Sequence, residues 1–393
     1  MKKIFIFVFV GFFFSCGHGN EPSTSDTGDT VALKYAKLLQ IIKHPTFAEV
    51  NILDPWKNGK VLHKYLLTVH NINEDEFDSD DATIVHIPLS RMVIFTAAHT
   101  WLTNHLGARQ SIAGVCDRSY IMAKWAKALN DCGNAMNPDI EKIIQLNPDA
   151  LIMSPFENSG GYGKVEQLGV PIIEAADYME TSALGRAEWM VFYGMLVGKE
   201  KESVKLFRSI EKHYNIISNN RFGDKENRAF KQLNRQSTKQ RKSPLVMIDL
   251  KQSSSWYVPA GRSTLGQMIA DAGGTYAFSN DKRSGSIPIS FETMLEKNLD
   301  ADVWLIKYNG SKDLNLTQLK KDFAGYTQFK AYRNENVYGC NTNYVPFYEE
   351  VPFHPDWLLE DYVKIFSNAP ANHLRYYKKI RNSTTNTQNI HKF

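Results

Sequence analysis

Aromatic and cationic side chains gather in a few short stretches of this 393-residue chain. His99 and Trp101 lie in "AAHTWLTNHLG", Arg118 and Tyr120 in "CDRSY", Phe156 in "SPFENSGG", and Tyr178 follows. A second set holds Trp256, Tyr257 and Arg262 in "SSSWYVPAGRS", then Tyr308, then Tyr344, Phe347 and Tyr348 in "CNTNYVPFYEEVPFH". Flat faces at this density pack on a macrocycle or an aromatic chelate, and Tyr and Trp keep a polar handle while doing so. A guanidinium beside them holds a carboxylate or catecholate through paired hydrogen bonds. Any single aromatic serves equally well in ordinary packing, so the expectation rests on the two sets lining one cleft.

Other chemistries fit less well. Capture of a bare metal needs several oxygens and nitrogens to converge. "YVPFYEEVPFH" supplies some, but an aromatic cleft suits a whole chelate better. No CxxC pair marks a zinc site. "GMLVGKE" and "SGGYGKVE" are too short for phosphate loops and lack the Ser or Thr after Lys. Neither HExxH nor GxSxG occurs. The chain is therefore expected to have no catalytic residues, no metal site and no cofactor of its own, its ligand being a metal chelate. The net charge of +4, with no basic block interleaved with aromatics, argues against nucleic acid.

The elements that must position these residues read as a repeating strand–helix pattern. "RMVIF", "SIAGV", "ALIM" and "VPIIEA" are apolar runs separated by helical stretches around "IMAKWAKAL" and "VEQLG". The pattern restarts with "PLVMIDL", "ADVWLI" and "NVYGC". Apolar strands alternating with helices predict mainly parallel sheets covered on both faces. Between the two series, Val204, Phe207, Ile210 and Tyr214 recur at helical spacing. The expected fold class is α/β: two Rossmann-like lobes joined by one long helix, with the ligand cleft between them. In such sheets ligands bind outside the carboxyl ends of the strands, where both aromatic sets fall. Within each lobe one sketch recurs, "IEKIIQLNPDALIM" and "FETMLEKNLDADVWLI". Each has a glutamate in the first helical turn (Glu141, Glu292), then an Asp-Ala step and an apolar run. The helix dipole favours such a carboxylate by roughly 0.3–1 kcal/mol whatever else it does.

The ends carry further signals. "MKKIFIFVFVGFFFSC" has two lysines, an apolar run too short to span a bilayer, and a small residue before Cys16. The expected organisation is a signal peptide (1–15), a flexible tether (16–30) reaching roughly 20 Å, an N-terminal extension (31–83), a first lobe (84–198), a connecting helix (199–220), a basic surface linker (221–243) and a second lobe (244–385). Cys116, Cys132 and Cys340 leave at least one thiol unpaired; a Cys116–Cys132 bridge and isolated buried thiols are both open.

Three stretches, "EKIIQLNPDALIM", "WYVPAGRSTLGQMIADAGG" and "FHPDWLLEDYVKIF", and the lobe–helix–lobe order over residues 84–367 resemble one family. It is the cluster-type substrate-binding proteins of ATP-binding-cassette importers, which carry ferric siderophores, haem and vitamin B12. The ending at Cys16 resembles a lipobox with Phe13 in place of the usual Leu, and the "DPW" extension is similar to the Bacteroides-like lipoprotein branch. The resemblance implies a monomer anchored to the bilayer through acylated Cys16 on the periplasmic side. It also implies a dimeric inner-membrane permease as partner, into whose arginine pockets Glu141 and Glu292 dock, with Glu296 as the alternative to Glu292. A lipid-anchored, chelatase-like enzyme acting on a tetrapyrrole through His99 or His354 is the alternative from another class.

Overall fold

The computed structural model describes residues 28–69, 82–157, 161–220, 243–250, 256–368 and 373–382. Cys16, the signal peptide and most of the basic linker lie outside the described residues. Among the described residues no helix is long and apolar enough to cross a membrane.

The extension is a sheet of its own. Strands β1 (Asp29–Thr30), β2 (Leu39–Lys43), β3 (Phe47–Leu53), β4 (Val61–Thr68) and β5 (Thr83–His86) pair in that order, antiparallel except for β4 with β5. In the first lobe, β6 (Met92–Ile94), β7 (Ile112–Val115) and β8 (Asn130–Asp131) form one parallel sheet with two later strands. Those are β11 (Ala150–Met153) and β12 (Ile172–Glu174), and the order is β12-β11-β6-β7-β8. A small hairpin of β9 (Gly133–Asn134) and β10 (Asn137–Pro138) precedes helix α2. Helix α1 (Ala97–His105) follows β6, and α2 (Ile140–Leu146) leads into β11. "KWAKA" and "GKVEQL" are 3-10 turns, shorter than the helices expected there. Gly114 lets β7 approach α2, since a Cβ there would lie 2.7 Å from Cys132 Sγ and from Leu146 Cδ1.

Helices α3 (Ala183–Glu188) and α4 (Met190–Leu196) lead to α5 (Glu200–Asn220), the expected long connection. Its buried stripe is Ser203, Phe207, Ile210, Tyr214 and Ile217. The second lobe runs β13 (Leu245–Leu250), β14 (Trp256–Pro259), α6 (Thr264–Asp271), β15 (Thr275–Tyr276), β16 (Ser286–Ile289) and α7 (Phe291–Asn298). It continues with β17 (Val303–Tyr308), α8 (Leu316–Asp322), α9 (Lys330–Arg333), β18 (Val337–Asn341), α10 (Phe347–Glu350), α11 (Pro355–Phe366) and β19 (Lys378–Lys379). The main sheet is β15-β13-β17-β18-β19, parallel except at β19, with β14 and β16 as a separate hairpin. This is the two-lobed α/β architecture that the sequence predicts.

The repeated sketch now has a structural cause. Asp149, just before β11, accepts hydrogen bonds from the backbone of Ser90 and Arg91 at the start of β6. Asp302, just before β17, accepts one from Leu245 at the start of β13. Each aspartate fixes the register of the strand it opens against the neighbouring strand. The equivalent of Asp149 is thus Asp302, one step after the Asp300–Ala301 pair that the pattern suggested. Cys116, Cys132 and Cys340 are free and buried, so the open Cys116–Cys132 bridge does not form. Burial raises all three thiols, Cys132 to about 11.

Candidate functional site at the seam of the lobes

After β7 the chain turns through Asp117, whose backbone is left-handed (φ 49°), into Arg118–Tyr120. The Arg118 guanidinium is engaged locally: it donates to the carbonyls of Lys127 (3.2 Å) and Leu129 (2.8 Å) and lies 3.3 Å from Asp131. Arg118 therefore staples its own loop instead of offering a free fork to a ligand. The loop it holds presents Tyr120, 65% exposed.

Across the seam, the loop after β18 presents Tyr344 and Tyr348, the latter 55% exposed. Among the described residues, Tyr120, Tyr344 and Tyr348 are the tyrosines with exposed side chains, and all three sit at strand carboxyl ends. The Glu349 carboxylate ties the two loops together: Met122 N–H donates to its Oε1 at 2.7 Å, and the Ala123 N–H also reaches it. Burial raises the Glu349 carboxyl, and the N–H groups of Met122 and Ala123 partly offset that. Tyr120 and Tyr348 each lie within two residues of this bond, so they flank the seam, with half-exposed Met122 beside them. Neither Met122 nor Glu349 stands out in the sequence, because nothing local marks a contact between residues 227 positions apart.

The other expected ligand residues divide by burial. Phe156 is exposed at the end of β11, and Trp101, Tyr178 and Tyr257 are half-buried. Arg262 is exposed at the start of α6. His99 is 4% exposed and its ring is occupied: Nε2–H donates to Asp177 at 2.9 Å and Nδ1 takes the Thr96 hydroxyl at 2.5 Å. Trp256, 7% exposed, stacks on Trp304 in the second-lobe core. Tyr308 and Phe347 are also buried; the Tyr308 hydroxyl accepts the Leu314 N–H, and Phe347 packs on Tyr376. For these four the structure differs from the expectation of exposed ligand contacts: their side chains are buried in the walls behind the loops. Buried His354 stacks on Trp357 and donates from Nδ1 to Asp356 (3.2 Å). The chelatase alternative thus loses both histidines as solvent-facing acid–base groups. Among the described residues no group of three or more His, Cys, Asp or Glu side chains is arranged to hold a metal ion.

Glu141 and Glu292 are exposed in the first turns of α2 and α7, each behind a side-chain cap, Asp139 accepting from Lys142 N and Ser290 from Thr293 N. Glu296 is exposed one turn further along α7. Each helix leads directly into the parallel strand that follows and so runs back along its sheet. Its N-terminus therefore lies at the carboxyl ends of the strands, level with the tyrosine loops.

Two α/β lobes with short strand-end loops meeting at a seam, joined by a helix packed along both, define a two-lobed binding protein. The family profile described as periplasmic binding protein matches residues 93–344, and the chain belongs to that family. Among curated proteins it is similar to an uncharacterized lipoprotein of Methanocaldococcus jannaschii, 26% identical over 83% of this chain and 80% of that one. A second uncharacterized lipoprotein of that organism is 22% identical over 85% and 86% of the two chains. These relatives are archaeal and lend no support to a Bacteroides-like branch. Among solved structures, IsdE of Staphylococcus aureus, complexed with haem, superposes with a TM-score of 0.54 at 20% identity, covering 70% of this chain and 98% of that one. The vitamin B12 binding protein BtuF of Vibrio cholerae gives 0.51 at 15% identity, covering 72% and 98%. At these identities the likeness establishes the fold.

Proposed function

We propose that this chain is the substrate-binding component of an ATP-binding-cassette importer. It captures a metal chelate at the seam and delivers it to a dimeric inner-membrane permease. The observation that carries the reading is the coincidence, at one end of both sheets, of exposed tyrosines on the seam loops and one exposed first-turn glutamate per lobe. Tyrosine faces suit a large planar or greasy ligand. Similar structures include one complexed with haem and one named for vitamin B12 binding. The cargo class is accordingly an iron chelate, ferric siderophore or haem, with corrinoid as its neighbour. Glu141 and Glu292 are the docking pegs, whose ion pairs supply orientation and association rate more than affinity. The chain works as a monomer, held to the periplasmic face of a bilayer by acylated Cys16, and performs no catalysis.

Tryptophan-fluorescence and absorbance titration with ferric siderophores, haem and cobalamin tests the cargo. Saturation at one equivalent for one class is expected, and no quenching by any of them sinks the reading. The Glu141→Ala, Glu292→Ala double variant should bind that cargo normally and lower its uptake. Loss of cargo binding in the variant contradicts the docking role.

A further inference from the structure

β17 is a central strand, its Lys307 paired with Leu250 on one side and Cys340 on the other. Central strands of parallel sheets are apolar because helices cover both faces, and Lys307 is the one charged residue in Val303–Tyr308. Its ammonium lies 4.6 Å from the ring centroid of Tyr348 and 4.9 Å from that of Phe347, a pair of cation–π contacts. Among the described residues no carboxylate lies within ion-pair distance of Lys307, unlike Lys34, Lys43, Lys199, Lys330, Lys364 and Lys378. The nearby acids are turned elsewhere. Asp249 pairs with Ile306 and so faces the opposite side of the sheet, toward Tyr326. Glu349 takes the Met122 N–H, and Glu350 holds Arg375 at 2.8–2.9 Å. A half-buried cation thus sits beneath an exposed tyrosine at the seam, with no carboxylate of the described residues paired to it.

We propose that Lys307 is the counter-ion for an anionic group on the cargo, so that the chelate is acidic at its periphery and packs against Tyr348 while its anion meets the ammonium. The proposal rests on the binding-protein reading above and narrows the cargo within it. A chelate of the same shape with its acid groups masked gains nothing from this site. Of the two cations expected from sequence, Arg118 and Arg262, Arg118 is engaged within its own loop, and Lys307 takes its role.

The test titrates the whole chain with two matched pairs: haem against haem dimethyl ester, and an anionic ferric tris-catecholate against a neutral ferric trihydroxamate. In one pair the anionic member is expected to bind about tenfold more tightly or better, with affinity falling as salt is raised. Lys307→Gln should lose about that factor for the anionic member alone, and Lys307→Arg should keep most of it. Equal affinity within each pair, preference for a neutral member, or unchanged binding by Lys307→Gln overturns the proposal and leaves the binding-protein reading standing. If none of the four probes binds the wild-type chain, the Lys307 proposal falls, and the cobalamin titration then decides whether the binding-protein reading stands. Should Lys307→Gln not fold, the matched pairs on the wild-type chain decide alone.

Discussion

Asp177 shows how a strand-end residue can be structural. Burial opposes its charge, but His99 and Arg186, with the Tyr193 hydroxyl, outweigh that and hold the carboxyl down at about 2. All three partners lie at 2.9 Å. A carboxyl held this low contributes stability at neutral pH that is lost as pH falls through the acid range toward 2. Removing it strands a half-buried guanidinium and a buried hydroxyl, so Asp177→Ala is expected to cost about 3 kcal/mol, read from the urea midpoint. Glu174 behaves oppositely. Burial raises it to about 7, and only the Tyr162 hydroxyl at 3.2 Å works against that. Its protonated form is favoured in the folded state, so its contribution is full below pH 4.5 and is lost as pH rises toward 7. Melting temperature should therefore fall across that window in the wild type and stay flatter in Glu174→Gln; equal pH profiles would remove Glu174 from the account. The sequence marks His99 and Arg118 as strand-end residues and does so correctly. What it does not carry is their partners: Asp177 lies 78 residues from His99, and only folding brings them together.

At the scale of elements, apolar runs between turn residues were readable because covered parallel strands leave no polar alternation to confuse them. "ALIM" and "ADVWLI" mark β11 and β17 for that reason, the latter running two residues further to Tyr308, and Asn147, left-handed at φ 45°, ends α2 where "NP" signals a stop. "IMAKWAKAL" has helical apolar spacing yet forms a 3-10 turn at Lys124–Ala128, since spacing over so few residues does not separate the two. The extension was half legible: β2 and β4 read as strands, but β3 is interrupted by Glu49 and Asn51. Its anchor was invisible. Glu188 accepts the N–H groups of Lys34, Tyr35 and Ala36, and Glu180 those of Lys37 and Leu38, at 2.7–2.9 Å. Two buried carboxylates on and beside α3 thus replace the strand partner that this segment lacks. Glu188→Ala should cost about 1–3 kcal/mol for each donor left unpaired and speed amide exchange at Lys34–Ala36. Exchange as slow as in the wild type would show that the segment is held by something else.

The whole molecule is braced on two sides. Along α5, Tyr214 donates to Asp271 and His213 contacts Asp356, both at 2.7 Å, which ties the rod to the second lobe. Lys34 and Tyr35 reach Glu211 on the same helix, so the extension and the first lobe grip it too. At the seam, the Met122–Glu349 bond closes the strand-end side. A rod held by both lobes permits little hinge movement, and the seam bond then decides how far the tyrosine loops part. Glu349→Ala removes the acceptor for Met122 and leaves the α5 contacts untouched. Spin labels on exposed positions of α2 and α7 report the separation of the lobes. The wild type should give one narrow distance distribution, and the variant a broader one shifted to longer distances, with its melting temperature little changed. An already broad wild-type distribution would mean that the rod does not restrain the lobes. An unchanged distribution in the variant would mean that α5 alone sets their spacing and the seam bond follows from it.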